Sequence, residues 1–196
     1  MQLRKAPALV LLVFLCGCQA LSNNPLSHIL TYSREPGSEL LSRNELQQLA
    51  TRHLSSQEHL KALALIFSAV HQGHPESLFS STYPQAINGV LVTATQQRAA
   101  GDPVKAGTLL KTVYLAYPHD PALQSATSMT LTEIDASIEL CASQLLEQGL
   151  VAYRNGNLEE AISRWEKIAR FHPQHAASQR AIETTRVQLA NLLKID

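Results

Sequence analysis

Two stretches of this chain repeat one frame. Gly149, Gly156, Ala161, Trp165 and Pro173 are separated by seven, five, four and eight residues, and Ala94, Gly101, Ala106, Leu110 and Pro118 by the same four intervals. A third, worn copy runs through Ala50, Gln57, Ala62 and Ile66, and its proline, Pro75, arrives one residue late. The residue types in this order constrain the backbone. A small residue lets a second helix approach, glycine supplies the left-handed conformation that ends a helix, and alanine keeps the next helix close. A bulky residue then fills the groove between units, and proline cannot continue the helix. The frame therefore predicts helix, tight turn, helix and stop, several times over.

The residues between the frame positions agree with that prediction. Beyond Ser42 apolar residues recur at spacings of three and four, which places them on one helix face, and strand-like alternation is rare. Ser42-x-x-Glu45 and Thr130-x-x-Glu133 have the form of capping boxes, and Asp102 stands before Pro103, a residue that needs no amide partner in a first helical turn. Asn155-Gly156, Ala100-Gly101, Gly73, Pro118 and Pro173 supply the stops. An all-α fold is expected.

The frame resembles the tetratricopeptide repeat, a helix-turn-helix unit. The stretch from Gly149 through Trp165 to Pro173 matches it best, although Ala152 stands where the family usually has an aromatic, with Tyr153 adjacent. The resemblance implies repeat-like units at about 43–76, 87–120 and 142–175, within a domain over 42–196. The shared alanines Ala62, Ala106 and Ala161 lie 44 and 55 residues apart, whereas a tandem array has about 34. Extra helical material must intervene. Leu131, Ile134, Ile138, Cys141 and Leu145, spaced three and four apart, predict that the first helix of the last unit extends upstream. An amphipathic helix over 176–194, with Ala181, Ile182, Leu189, Leu192 and Leu193, is expected to cap the exposed end. The expected architecture is a short irregular α-superhelix.

The amino terminus carries an address. Arg4 and Lys5 precede an apolar run from Ala8 to Leu15, which is too short for a helix spanning about 30 Å of hydrocarbon. Leu15-Cys16-Gly17-Cys18 closely resembles the lipobox of bacterial lipoproteins. By that resemblance residues 1–17 are a signal peptide, cleavage falls between Gly17 and Cys18, and Cys18 takes the lipid. Several acyl chains, at about 0.8 kcal/mol per buried methylene, hold a protein on a membrane stably. Gln19, where an inner-membrane lipoprotein commonly has Asp, favours the outer membrane, facing the periplasm. Residues 18–41, with Asn23-Asn24-Pro25 and Pro36-Gly37-Ser38, read as a flexible tether.

Composition narrows the partners. Charged residues are 16% of the chain, and the 16 basic residues are balanced by 16 acidic ones. Loss of Arg4 and Lys5 would leave the mature chain slightly acidic. No basic stripe offers itself to nucleic acid. Cys141 is the one cysteine of the folded part, on the apolar face of its expected helix, and reads as a small buried hydrophobe.

His71-x-x-His74 and His172-x-x-His175 have the spacing of a metal pair, but each stands beside a proline at the expected end of a helix. There they read as solvated caps favoured by the negative helix end. No nucleophile elbow, phosphate loop or dinucleotide fingerprint occurs, and Glu159-Glu160 read as first-turn residues at a positive helix end. No cofactor, metal or catalytic residue is assigned. The expected function is a non-catalytic, membrane-anchored adaptor or assembly factor that binds an envelope protein or peptide. Gln97, Arg98, Gln144 and Arg154 are its candidate partner-binding residues. The alternative, an enzyme or enzyme subunit acting on cell-wall or lipid substrates, requires a concave site of convergent polar groups.

Overall fold

The computed structural model describes residues 41–192 and Lys194. The expected signal peptide with Gly17, the expected lipid site Cys18, the expected tether up to residue 40, and Leu193 lie outside the described residues. Eight α-helices make up the described part: α1 (Arg43–Ser55), α2 (His59–His71), α3 (Thr82–Ala99), α4 (Pro103–Leu115), α5 (Pro121–Ser125), α6 (Leu131–Arg154), α7 (Leu158–Glu166) and α8 (Ala176–Leu192). Short 3-10 turns follow α2 at Glu76–Phe79 and α7 at Lys167–Arg170. Each helix packs on its neighbour in sequence, except that α4 passes over the short α5 to meet α6.

Local chemistry sets the helix starts. The Oγ of Ser42 accepts the Glu45 N–H at 3.3 Å while the Glu45 carboxylate accepts the Ser42 N–H at 2.8 Å, closing a capping box. Thr130 and Glu133 repeat that arrangement at α6. Asp102 accepts the Lys105 N–H at 2.9 Å, and Asp120, also followed by proline, caps α5 by accepting the Ala122 N–H at 2.8 Å.

The ends of α1, α3 and α6 share one geometry. At each, the residue after the C-cap has positive φ: Gln57 at 59°, Gly101 at 82° and Gly156 at 81°. Its N–H bonds back three residues, and the next N–H bonds back five. Gln57 thus donates to the Leu54 carbonyl at 2.9 Å and Glu58 to the His53 carbonyl at 2.8 Å, Asp102 donates to Gln97 at 2.9 Å, and Asn157 donates to Ala152 at 3.0 Å. This is the Schellman motif. It makes hairpins of α1–α2, α3–α4 and α6–α7, each joined by a three-residue turn. Gly73, at φ 94°, ends α2 in the same way.

Most of the core runs continuously from Leu46 and Ala50 of α1 through Tyr83, Ile87 and Val90 of α3 to Ile134, Ile138 and Cys141 of α6. Of the frame residues, Ala50, Ala62, Ala94, Ala106, Leu110, Ala161 and Trp165 are all buried. A smaller apolar cluster of Ala152, Ala161 and Trp165 lies between α6, α7 and α8, with Leu150, Tyr153, Ala181 and Ile182 packed around it.

Polar ties hold the loops to this core. The Glu76 carboxylate accepts the N–H of His119 at 3.0 Å and of Asp120 at 2.9 Å, joining the turn after α2 to the loop after α4. The Asn88 side chain on α3 donates to the Ala126 carbonyl at 3.2 Å and accepts the Ser128 N–H at 2.7 Å, pinning the α5–α6 connection.

Candidate functional site

The α6–α7 hairpin carries the fullest version of the repeated frame and is the strongest candidate for an interaction site. Its rigidity starts with Trp165. The indole is 1% exposed and donates its Nε1–H to the Leu146 carbonyl at 3.0 Å, so the one polar atom of a buried aromatic is satisfied. Gly149 provides the space beneath the ring. Trp165 is thus a packing residue that fixes the angle between the two helices.

A shallow cleft of about 250 Å³ on the hairpin is lined by Gln148, Val151, Ala152, Asn155, Asn157, Glu160 and Arg164. Val151, which is exposed, and Ala152 are its apolar lining, and Gln148, Asn155 and Asn157 supply amides. Asn157 occupies the N-cap position of α7 yet makes no capping bond, unlike Asp102 at the corresponding turn. Arg164 donates to Glu160 at 2.7 Å and to Gln148 at 3.2 Å, which neutralises the charge of the rim. Such a lining offers hydrogen-bond donors and acceptors to an uncharged main chain.

The four candidate partner-binding residues do not form one cluster. Gln97 and Arg98 are half-buried near the end of α3, while Gln144 and Arg154 are exposed on α6. Arg98 lies close enough to Cys141 for its charge to act on the thiol, and Gln144 follows Cys141 by nearly one turn. These two therefore flank the same region of α6. Arg154 lies about 15 Å further along the helix at a rise of 1.5 Å per residue, and its guanidinium pairs with Glu147 at 3.5 Å.

The histidines are placed differently from their expected role. His175 is buried and belongs to the start of α8. Its Nδ1 accepts the Ser178 N–H at 3.2 Å, and its Nε2 meets Glu139 of α6 at 3.2 Å. An Nδ1 that accepts leaves the ring proton on Nε2, which then donates to Glu139. His175 is therefore a capping and docking residue, and a solvated cap on α7 is the wrong description for it. His172 reaches the other Glu139 oxygen at 3.3 Å, with the two rings 5.3 Å apart. His71 stays at the end of α2, with its Nδ1 3.1 Å from the Phe67 carbonyl oxygen. Among the described residues no group of three or more His, Cys, Asp or Glu side chains is placed to hold a metal ion.

Burial pushes the Cys141 thiol up from its ordinary value, more than the Arg98 charge pulls it down. Burial also acts to raise Glu76, but the bonds from the His119 and Asp120 N–H groups and the His119 ring outweigh it and hold the carboxyl below its usual range. Burial raises the Tyr83 hydroxyl, which donates to the Ala116 carbonyl at 2.9 Å.

Two structural glycines had no signal in the repeated frame. Gly107 of α4 faces the ring of Phe171, and Gly89 of α3 faces the ring of His59. In each helix the bare backbone admits a ring from another element, as Gly149 admits Trp165. Compared with protein families, curated proteins and solved structures, the chain matches none of them.

Proposed function

We propose that this chain is a bacterial envelope lipoprotein whose helical domain is a non-catalytic adaptor or assembly factor built from tetratricopeptide-like units. The observation that carries the reading is the recurrence of one turn, the Schellman geometry at Gln57, Gly101 and Gly156, at corresponding positions of three stacked hairpins. Repeats of this kind present extended surfaces to partner proteins or peptides. In this reading Cys18 is acylated, the anchor is the outer membrane and the domain faces the periplasm. Among the described residues no helix is long and apolar enough to cross a membrane, so the anchoring is assigned to the lipid. The neutral rim of the α6–α7 cleft favours a protein partner over a reacting substrate.

Two experiments test the proposal. Cys18→Ser is expected to abolish labelling by a fatty-acid analogue and to leave the precursor unprocessed, whereas labelling that survives sinks the lipid assignment. Affinity isolation of the tethered protein from detergent-solubilised membranes is expected to recover a stoichiometric envelope partner. Turnover of a cell-wall or lipid substrate by the purified domain alone would replace the adaptor with an enzyme.

A further inference from the structure

We propose that the start of α8 is a pH-responsive joint: the neutral imidazole of His175 caps the helix, and uptake of a proton withdraws that cap and loosens the first turn. The inference goes beyond the adaptor reading and does not depend on it.

His175 stands immediately before α8, and its carbonyl accepts the Gln179 N–H at 3.2 Å, the first bond of the helix. It therefore holds the N-cap position, where Ser, Thr, Asp or Asn usually offers an oxygen to a free amide of the first turn. Here a ring nitrogen does so, since Nδ1 accepts the Ser178 N–H at 3.2 Å. Those oxygen caps stay acceptors at neutral and mildly acid pH. Imidazole is the side chain that takes a proton there.

Two bonds fix one tautomer. Nδ1 accepts, so the ring hydrogen is on Nε2, which lies 3.2 Å from a Glu139 oxygen of α6, a donor facing an acceptor. A second proton has one place to go, Nδ1. There it sets an N–H against the Ser178 N–H, and two donors cannot bond. His175 and Ser178 are both buried, so water does not replace the lost acceptor while the turn stays closed. Opening the turn gives both groups a partner. The cap is thus present while the ring is neutral and is lost as falling pH charges it.

The neighbouring charges do not cancel this effect. Among the described residues Glu139 is the carboxylate that His175 contacts, and its side chain is 54% exposed, so water screens its attraction for a cation. It is also shared. His172, in the turn before α8, reaches its other oxygen at 3.3 Å, and the two rings lie 5.3 Å apart. One negative charge thus faces two rings that repel each other once both carry protons. Further charges on the same three elements, Asp135 on α6, Arg170 before the ring pair and Arg180 on α8, are all exposed.

The test follows the Ser178 amide of the purified full chain by hydrogen exchange in nuclear magnetic resonance, each rate divided by the intrinsic rate at that pH. Protection of Ser178 is expected to fall about fivefold or more between about pH 7.5 and about pH 5, while amides in the middle of α6 keep theirs. His175→Asn, whose side-chain oxygen caps without titrating, is expected to keep Ser178 protected throughout. Constant protection in the wild type, an equal fall across α6, or an equal fall in the variant overturns the proposal. A second measurement needs no variant: nitrogen-15 spectra of the wild type at neutral pH are expected to show the His175 ring protonated on Nε2 alone, and a proton on Nδ1 overturns it. Glu76 does not confuse the reading, because its carboxyl is held below its usual range and so titrates under this window.

Discussion

The indole of Trp165 occupies the space that a side chain at position 149 would need: a Cβ built on Gly149 would stand 2.1 Å from the indole Nε1. The ring is rigid, fully buried and hydrogen-bonded, so it cannot give way. Gly149→Ala is expected to destabilise the domain by about 2 kcal/mol, in the range for overpacking a dense core. Chemical denaturation measures it. Adding Trp165→Leu, which places an aliphatic residue where the second copy has Leu110, should make the Gly149→Ala step less costly than it is in the wild type. Equal costs in both backgrounds would show that the two residues do not constrain one another.

Gln57 is the one non-glycine residue with positive φ among the described residues, at 59°. Left-handed backbone costs a side-chain-bearing residue about 1–2 kcal/mol, partly offset because glycine gains more freedom in the unfolded chain. Gln57→Gly is expected to raise stability by about 0.5–1 kcal/mol, visible as a higher Tm. Gly101→Ala and Gly156→Ala should move it the other way.

Glu76 makes stability depend on pH. Its folded pKa is lowered, so the stabilisation is fully present above the unfolded value of about 4.3 and is lost as pH falls through the lower folded value. Glu76→Gln keeps the shape and removes the charge. At neutral pH it is expected to cost about 2 kcal/mol, the scale of hydrogen bonds to a charged group. The difference in Tm between wild type and variant should shrink below about pH 4. A difference that holds constant to pH 3 would assign the effect to shape instead.

Cys141 should resist thiol reagents in the native chain. It is buried and its pKa is raised, and the thiolate is the reactive form. Mass-resolved alkylation is expected to modify it only on the timescale of unfolding, so fast labelling at neutral pH would contradict its place in the core.

What could be read from the sequence was local. The caps at Ser42, Thr130 and Asp102 follow from a side chain and a backbone amide a few residues apart, and the long α6 follows from apolar residues at spacings of three and four. Gln57 shows the next level. Glutamine does not announce a left-handed turn, and only its register with Gly101 and Gly156 marked the position. Gly89 and Gly107 carried no signal in the sequence, because the rings that need them, His59 and Phe171, come from other parts of the chain. Likewise His175 lies beside Pro173 in sequence, which suggested the end of one helix, whereas its bonds to Ser178 and Glu139 tie the start of the next to α6. Tertiary placement decided these cases, and no periodicity carries that information.

His59 shows that a close fit can leave a cost behind. Its Nδ1 is buried without a hydrogen-bond partner among the described residues, an omission worth about 1–3 kcal/mol. His59→Phe keeps a ring against Gly89 and removes the orphaned nitrogen. The expected result is a stability equal to or above that of the wild type, read by thermal melting, and a loss of more than about 1 kcal/mol would show that the nitrogen is satisfied.

The order in which the helices pack bears on how quickly the chain reaches its fold. Each of α1 to α3 rests on the helix that follows it, and α4 passes over the short α5 to meet α6. Assembly therefore closes short loops, the condition under which helical proteins fold in microseconds to milliseconds. A chain emerging from a narrow channel with its amino end leading could complete α1–α2 before α6 had left, so each hairpin would find its platform already built.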